Sequence, residues 1–414
     1  MKPTVIIGGG IVGLFTAYYL HKQGIEVMIL DKGDLQVNCS TGNAGMVVPS
    51  HIMPLASPGM VSKGLGWMLS AKSPFYIHPK WDRKLFHWCL LFYRSANEKT
   101  VEKSIPFLKN LGLYSKSLYH EFKESHSKTD IGWVEKGLMM LYQTSAGEKE
   151  ENEFAVLARK NGVQAEILSP TDIQKLEPNQ QVNARGAVLF PGDAHLKPAA
   201  LYQFLQKYLL KNGVTIQPNS LVRAFERKNG TINKVITQNE AIDVGKIILC
   251  GGAWSAELAE IMGFKLPLMG GKGYSFMQKN QPQLQQASIL TDMKVSMTPF
   301  GDEVRFGGTM EIAGTNEAIN LSRVRGIFEA IKRYYPDFEA TFPKQEDIWH
   351  GLRPCTPDGL PYIGPAPNLD NVWVGSGHAM MGVSLAPATG KILANLLSGQ
   401  SPPLNIEGFR VSRF

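Results

Sequence analysis

The sequence predicts an α/β chain that opens on a dinucleotide-binding unit, and three observations carry that prediction. The apolar run Thr4–Ile7 leads through Gly8-Gly9-Gly10-Ile11-Val12-Gly13 into the amphipathic pattern Ile11–Lys22. A second apolar run, 26–30, ends on Asp31. Two later apolar runs, 246–250 and 371–374, go straight into the glycine turns Gly251-Gly252 and Gly375-Ser376-Gly377.

Taken in order, Thr4–Ile7 reads as a buried strand and Ile11–Lys22 as a helix stopped at Gly24. Between them Gly8 permits the tight turn, Gly10 lets the backbone approach a pyrophosphate, and Gly13 lets helix and strand pack closely. Ile11 and Val12 open the helix whose N-terminus receives the phosphates. Asp31, eighteen positions after Gly13, stands at the tip of the second strand. There a carboxylate accepts hydrogen bonds from the ribose hydroxyls and disfavours the 2′-phosphate of NADP. Residues 32–45 then form a polar, turn-rich loop ending Ser40-Thr41-Gly42-Asn43-Ala44-Gly45. By residue type alone it is either a solvated loop or a wall beside a flavin ring, so FAD and NAD both stay open at this point.

Further on, Pro198 opens a helix with Leu201, Phe204, Leu205, Tyr208 and Leu209 on one face. It stops at Asn212-Gly213 and is followed by a strand over 214–217. After the glycine turn at 375–377 a helix runs to near Gly399. Ligands of open α/β sheets sit at the carboxyl ends of parallel strands, so these glycine turns are expected to converge on the cofactor.

The 414 residues exceed what one hydrophobic core holds, which predicts two domains. Lys plus Arg 43 against Asp plus Glu 36 gives a net charge of +7, suited to an anionic cofactor or a carboxylate substrate. No aromatic-interleaved basic run points to nucleic acid. Cys39, Cys89, Cys250 and Cys355 lack metal-ligand spacing, no His, Cys, Asp or Glu cluster has it, and no metal is expected. The N-terminus reads as a strand and not as a signal peptide, which with the scattered cysteines predicts a cytoplasmic protein. The apolar segments 65–79 and 85–93 are about half the ~20 residues that cross a bilayer. They remain candidates for peripheral contact with the inner face of the plasma membrane.

Beyond the glycine turn, a series of blocks resembles the D-amino-acid oxidase superfamily of flavoproteins, and most closely the bacterial D-amino acid dehydrogenases. Ser40 to Gly45 looks like that family's flavin loop, and 54–79, with Ser57-Pro58-Gly59 and Trp67-Met68-Leu69, like its next segment. Phe190 to His195, Leu249 to Ser255, Lys272-Gly273-Tyr274-Ser275, Arg305 to Glu311, Gly351 to Gly359 and Gly377 to Gly390 continue the family's order. The resemblance implies an FAD-binding Rossmann-like domain of glutathione-reductase type, interleaved with an α+β substrate domain containing a mixed β-sheet. The expected division is 1–75, 196–265 and 345–414 for FAD, and 76–195 and 266–344 for substrate.

It also implies a non-covalent FAD, since Cys355 does not match the flavin-linking cysteine of sarcosine oxidases. The implied cofactor-binding residues are Gly8, Gly10, Ile11, Val12, Gly13, Asp31, Lys32, Thr41, Asn43, Ala44, Gly45, Val222, Gly251, Gly252, Trp254, Arg353, Gly377, His378, Gly382 and Val383. Asp31 replaces a glutamate frequent in these relatives, with shorter reach and the same charge. The implied reaction is oxidation of a D-amino acid by hydride transfer from Cα to flavin N5, giving an imino acid. A quinone or another acceptor, or oxygen, then takes the electrons. Alternatives are a glycine, sarcosine or cyclic secondary-amine (D-proline-like) oxidase or dehydrogenase, and a regulatory flavin-binding protein without turnover.

Three residues are expected to carry the chemistry. By residue type Arg353 is either a structural ion-pair partner or a two-pronged clamp for a carboxylate, and the resemblance implies the clamp. Tyr274 either donates a hydrogen bond to the same carboxylate or packs in the core. His378 begins the last helix, whose N–H groups are expected to face the flavin pyrimidine. His51 and His350 are assigned no role, and Met380-Met381 is expected to pack beside the flavin.

Overall fold

The computed structural model describes residues 2–60, 64, 74–77, 81–312 and 314–414. Trp67, Met68, Leu69 and most of the apolar segment 65–79 lie outside the described residues.

The Gly-rich turn sits where the sequence puts it. β1 (Thr4–Ile7) is fully buried, and α1 (Ile11–Lys22) follows it. β2 (Val27–Leu30) pairs with β1 in parallel, Ile7 opposite Leu30. β3 (Met46–Val47) and β4 (Phe75–Ile77) precede two helices, α2 (Arg83–Ser95) and the long α3 (Glu98–Ser125). β5 (Leu138–Tyr142), α4 (Ser145–Lys160), β6 (Glu166–Leu168), α5 (Pro170–Leu176), β7 (Gly186–Phe190) and β8 (Ala194–His195) come next. The predicted α/β step appears as α6 (Pro198–Lys211) and β9 (Thr215–Gln217).

A small antiparallel sheet of β10 (Val222–Lys228), β11 (Thr231–Thr237) and β12 (Ala241–Asp243) leads to β13 (Lys246–Leu249) and α7 (Ser255–Met262). Then come β14 (Met269–Lys279), β15 (Ser288–Leu290), β16 (Val295–Pro299), β17 (Glu303–Ile312) and α8 (Leu321–Tyr334). The chain closes with β18 (Trp349–Cys355), β19 (Tyr362–Pro365), β20 (Val372–Ser376) and α9 (Gly382–Leu397).

Two sheets organise the molecule. The Rossmann-like sheet has the order β19-β20-β13-β1-β2-β9, parallel except at β19–β20. Four segments far apart in sequence therefore meet with their carboxyl ends on one side. The larger mixed sheet runs β18-β14-β17-β16-β15-β5-β7-β6, with β4 alongside β17. β18 pairs with β14 over its whole length, Gly271 opposite Arg353, so 349–355 joins the sheet of 266–344 and not the Rossmann-like sheet as the expected 345–414 boundary had it. The boundary is also crossed by α3, whose Leu108, Leu111, Leu118, Tyr119 and Phe122 pack in the core of α1 and α9. Both departures have one cause: short apolar and glycine-rich stretches look alike in sequence whichever sheet they complete.

α9 lies across α1 at close range, because a Cβ on Gly390 would stand 2.7 Å from the backbone of Phe15 and Thr16. Residues 379–397 are long and apolar enough to cross a membrane, but 72% of the span is buried inside the molecule, as a core helix is.

Candidate functional site

A cavity of about 1200 Å³ lies between the carboxyl ends of β1, β13 and β20 and one face of the sheet formed by β14, β17 and β18. All the predicted site residues line it except Gly13, Thr41, Gly45 and Gly377. Those four stand behind the wall and shape it. A Cβ on Gly13 would meet Gly8 O at 2.0 Å, which is the close packing of α1 on β1. Thr41 Oγ1 bonds back to Asn38 within its own loop. Gly45 and Gly377 hold positive φ of 76° and 83° at turns that press on Leu196 and Thr356.

At one end of the cavity the β1–α1 turn forms a cradle for a diphosphate. Gly8 has φ 110° and lies so close to Cys250 O that a Cβ would approach within 2.3 Å. Gly10 differs: its Cβ would meet only Ser40 Oγ at 3.6 Å, leaving the space beside its backbone open to the cavity. Asp31 does not stand free for a ribose. Its Oδ2 accepts Gly9 N–H at 2.7 Å and its Oδ1 accepts Gly33 N–H at 2.8 Å, which fixes the turn. A carboxylate has about four lone-pair sites, so acceptor capacity remains for ribose hydroxyls. Lys32 lies over the Trp254 ring, 3.4 Å from its centroid, and Val222 and Gly252 complete this end.

The flavin-loop segment is clamped by residues to which the sequence assigns no role. Ser40 Oγ accepts Ile11 N–H at 3.0 Å, serving the N-terminus of α1 from another loop. Tyr202 OH donates to Gly9 O at 2.8 Å. Arg305 donates from one Nη to Thr41 O at 3.1 Å and Asn43 O at 2.6 Å, while Ser275 Oγ donates to Gly42 O at 2.9 Å. Burial pushes the Arg305 guanidinium down to about 10. The Trp349 ring covers Gly42, and its Nε1 donates to Asn38 O at 3.1 Å. Arg305 and Trp349 sit on β17 and β18, so period-2 alternation next to a glycine-rich loop was the available signal.

The same alternation separates two of the catalytic candidates. On β14, Ser275 lines the cavity, and Arg353 of the neighbouring β18 lies over Gly273, where a Cβ would strike its guanidinium. Tyr274 points to the opposite face, into the core of Phe276, Val324 and Ile327. Its hydroxyl donates to Glu311 Oε2 at 3.2 Å and accepts Asn320 N–H at 3.1 Å. The Tyr274 hydroxyl is thus partnered within the core, while the residue also borders the cavity. The reason is register: a one-residue offset on a strand reverses the face.

Arg353 donates to Thr309 O at 2.5 Å and has no carboxylate partner among the described residues. Burial lowers its pKa, while the residue stays half-buried at the cavity wall. His378 is buried, with Nε2 2.8 Å from Thr389 Oγ1, and burial pushes the imidazole down to about 3. The ring is thus a neutral, partnered core group. The cavity is met instead by the run of residues 378–383 that opens α9, whose N-terminus has no side-chain cap. Gly382, Val383, Met380 and Met381 belong to that run, while Cys355 is packed with Trp88 and Met310. Among the described residues no group of three His, Cys, Asp or Glu could hold a metal ion.

The open space beside Gly10 and the turn that shapes it fit a dinucleotide diphosphate, and the clamped loop with the start of α9 fits a flavin ring between them. A family model described as DAO, FAD dependent oxidoreductase, matches residues 4–396. A D-amino acid dehydrogenase from Helicobacter pylori is 33% identical over 397 residues, covering 95% of this chain and 94% of the relative. One from Xanthobacter autotrophicus is 29% identical over 99% of this chain and 98% of its own length. Among solved structures, glycine oxidase from Geobacillus kaustophilus superposes with a TM-score of 0.80 at 23% identity, covering 99% of this chain and 98% of that one. L-proline dehydrogenase from P. horikoshii gives 0.76 at 18%, covering 100% and 97%. At those identities the two structures bear on the fold.

Proposed function

Because the chain belongs to the DAO family of FAD-dependent oxidoreductases, we propose that it oxidatively deaminates a D-amino acid to an imino acid, which water then hydrolyses. The choice of D-amino acids follows the dehydrogenases it is similar to along nearly its whole length. One observation carries the substrate chemistry: Arg353, a half-buried cation in the cavity wall, bonds a backbone carbonyl and has no counter-ion among the described residues. Leaving such a charge unpaired is costly, and a substrate carboxylate held through two parallel bonds completes it.

FAD is held without a covalent bond by the turn 8–13, Asp31, the clamped loop 40–45 and the start of α9. When bound, it supplies a two-electron acceptor at N5. The chain's own residues bind and orient: Arg353 fixes the carboxylate end, and the apolar wall of Met46, Val48 and Met310 leaves room for a side chain while excluding water. The electrons pass on to a quinone or another acceptor. α2 suits docking on an anionic membrane where quinones reside, for its outer face exposes Phe86, Leu90 and Tyr93 beside Arg83 and Arg94.

The deciding experiment is anaerobic bleaching of the flavin at fixed enzyme across D- and L-amino acids. D-amino acids are expected to bleach it and their L-enantiomers to fail. Bleaching by glycine, sarcosine or proline alone would move the reading to a secondary-amine or glycine enzyme, and no bleaching at all to a flavin-binding protein without turnover.

A further inference from the structure

An amino acid meets the enzyme as an ammonium, whose nitrogen has no lone pair to support departure of the α-hydrogen. If the reading above holds, its proton must leave before the hydride does, and neither Arg353 nor the buried His378 ring can take it. A chain of polar groups elsewhere in the cavity wall can. His51 lines the cavity, and its Nε2 has no hydrogen bond among the described residues. Its Nδ1 lies 3.2 Å from Ser50 Oγ, and Ser50 Oγ donates to Asp193 Oδ2 at 2.5 Å. Asp193 Oδ1 also accepts Ser50 N–H at 3.1 Å, so the order of the three groups is fixed by two bonds. Ser50 and Asp193 are each 1% exposed.

We propose that His51, Ser50 and Asp193 form a proton path that takes the ammonium proton of the bound amino acid into the protein. His51 Nε2 accepts the proton from the substrate nitrogen, and the electron pair of that N–H bond stays on the nitrogen. The proton on Nδ1 moves to Ser50 Oγ as the Ser50 hydroxyl proton moves to Asp193 Oδ2. Nothing is oxidised or reduced in these steps. The proton resting on Asp193 returns by the same path once product has left.

The surroundings suit each group to its place. Since the Ser50 hydroxyl is committed to Asp193, Nδ1 of His51 must be the donor, which leaves the Nε2 lone pair toward the cavity. Burial holds the imidazole near 4, so it stays neutral and passes protons without keeping them. Burial pushes the Asp193 carboxyl up to about 7, against the Ser50 bonds and the pull of Lys116, so it can keep one near neutrality. From α3, Lys116 bonds Gly192 O at 2.9 Å and pairs with Glu135 at 2.8 Å, with His120 on the same carboxylate. On the side of α4, Glu150 lines the cavity and Glu151 is buried, both already partnered. His195 of β8 is held neutral by burial. A serine and an aspartate that merely braced a turn would not need an imidazole at the cavity end.

The test is anaerobic stopped-flow reduction of the holoenzyme by low D-alanine and D-methionine from pH 6 to 9, for wild type, His51→Gln, Ser50→Ala and Asp193→Asn. Wild-type reduction per unit substrate should fall about tenfold per pH unit below about 7. The variants should be slower at pH 7 by roughly 10²-fold, and the deficit should close as the pH approaches that at which the free substrate amine loses its own proton. FAD content and the binding of pyruvate, which carries no ammonium, read from the flavin spectrum, should not change. Variants that keep the wild-type acid limb, or that fall by one factor at every pH, overturn the path. If Asp193→Asn loses FAD, His51→Gln decides alone, since its side chain sits on the cavity wall. A wild-type flavin that no D-amino acid bleaches overturns the amine-oxidation reading, and the path with it.

Discussion

Single residues at this site are separated by which neighbour an added or altered atom would meet. Gly8 and Gly13 touch backbone, whereas a Cβ on Gly10 would enter the open cradle. Gly10→Val is therefore expected to fold and to emerge without FAD, shown by normal circular dichroism with no flavin absorbance; a fully flavinated variant would contradict the cradle. Arg353→Lys keeps the charge and removes the planar fork. Losing one charge-assisted bond of about 1.5–3 kcal/mol should slow flavin reduction per unit substrate by roughly 10- to 150-fold at normal FAD content. A decarboxylated amine, with nothing for the fork to grip, should react equally well with both forms. Arg353 could be singled out in the sequence through its Gly-Leu-Arg-Pro setting, but Tyr274 could not be placed, because a β-strand's facing depends on its partner's register.

At the level of elements, α1 and α9 meet through Gly390, which the sequence marks only as one glycine in an apolar helix. Gly390→Leu must push α9 off the backbone of Phe15 and Thr16, at a cost of about 1–3 kcal/mol by overpacking, and should lower the melting temperature by several degrees. An unchanged melting temperature would mean that the helices part without cost. α2 raises a different question, since it is half-buried through Trp88 and Leu85 while Phe86, at 75% exposure, and Tyr93, at 68%, face outward. Phe86→Glu with Tyr93→Glu should leave flavin bleaching intact and abolish co-sedimentation with phosphatidylglycerol vesicles. Equal sedimentation of both forms would assign that face to something other than lipid.

Across the whole molecule, buried titratable groups pull stability in opposite directions with pH. His51, His195 and His378 are held at about 4, 4 and 3, below the ~6.5 of an unfolded histidine. The stability they contribute is full above about 6.5 and is lost as the pH falls toward those values. Glu177 and Asp193 are pushed up to about 7, so the folded chain binds their protons first, and their contribution is present at acid pH and lost as the pH rises from about 4 to about 7. Near pH 5 the unfolded chain holds about three protons on these groups against about two for the folded chain. Acidification should then weaken the fold by about 1.4 kcal/mol per pH unit. Asp193→Asn removes one opposing proton and should roughly double that slope in urea titrations. A slope that stays the same would place the Asp193 proton elsewhere.

The sequence by itself determined the β1–α1–β2 unit, Asp31 at its tip, the later α/β step at 198–217, the glycine turns at the ends of β13 and β20, and the family. These are local: a strand, a turn and a helix contiguous in the chain leave a periodic pattern whatever surrounds them. Only the tertiary structure decided which sheet β18 completes, that α3 packs against the Rossmann core, that Arg305, Ser275 and Trp349 clamp the flavin loop, that the Tyr274 hydroxyl is taken up by Glu311 and Asn320, and that Ser50 meets Asp193 across 143 positions of chain. Each of those depends on register or on a contact between segments distant in sequence, and such contacts are fixed by packing and strand pairing, which leave no repeat in the chain itself.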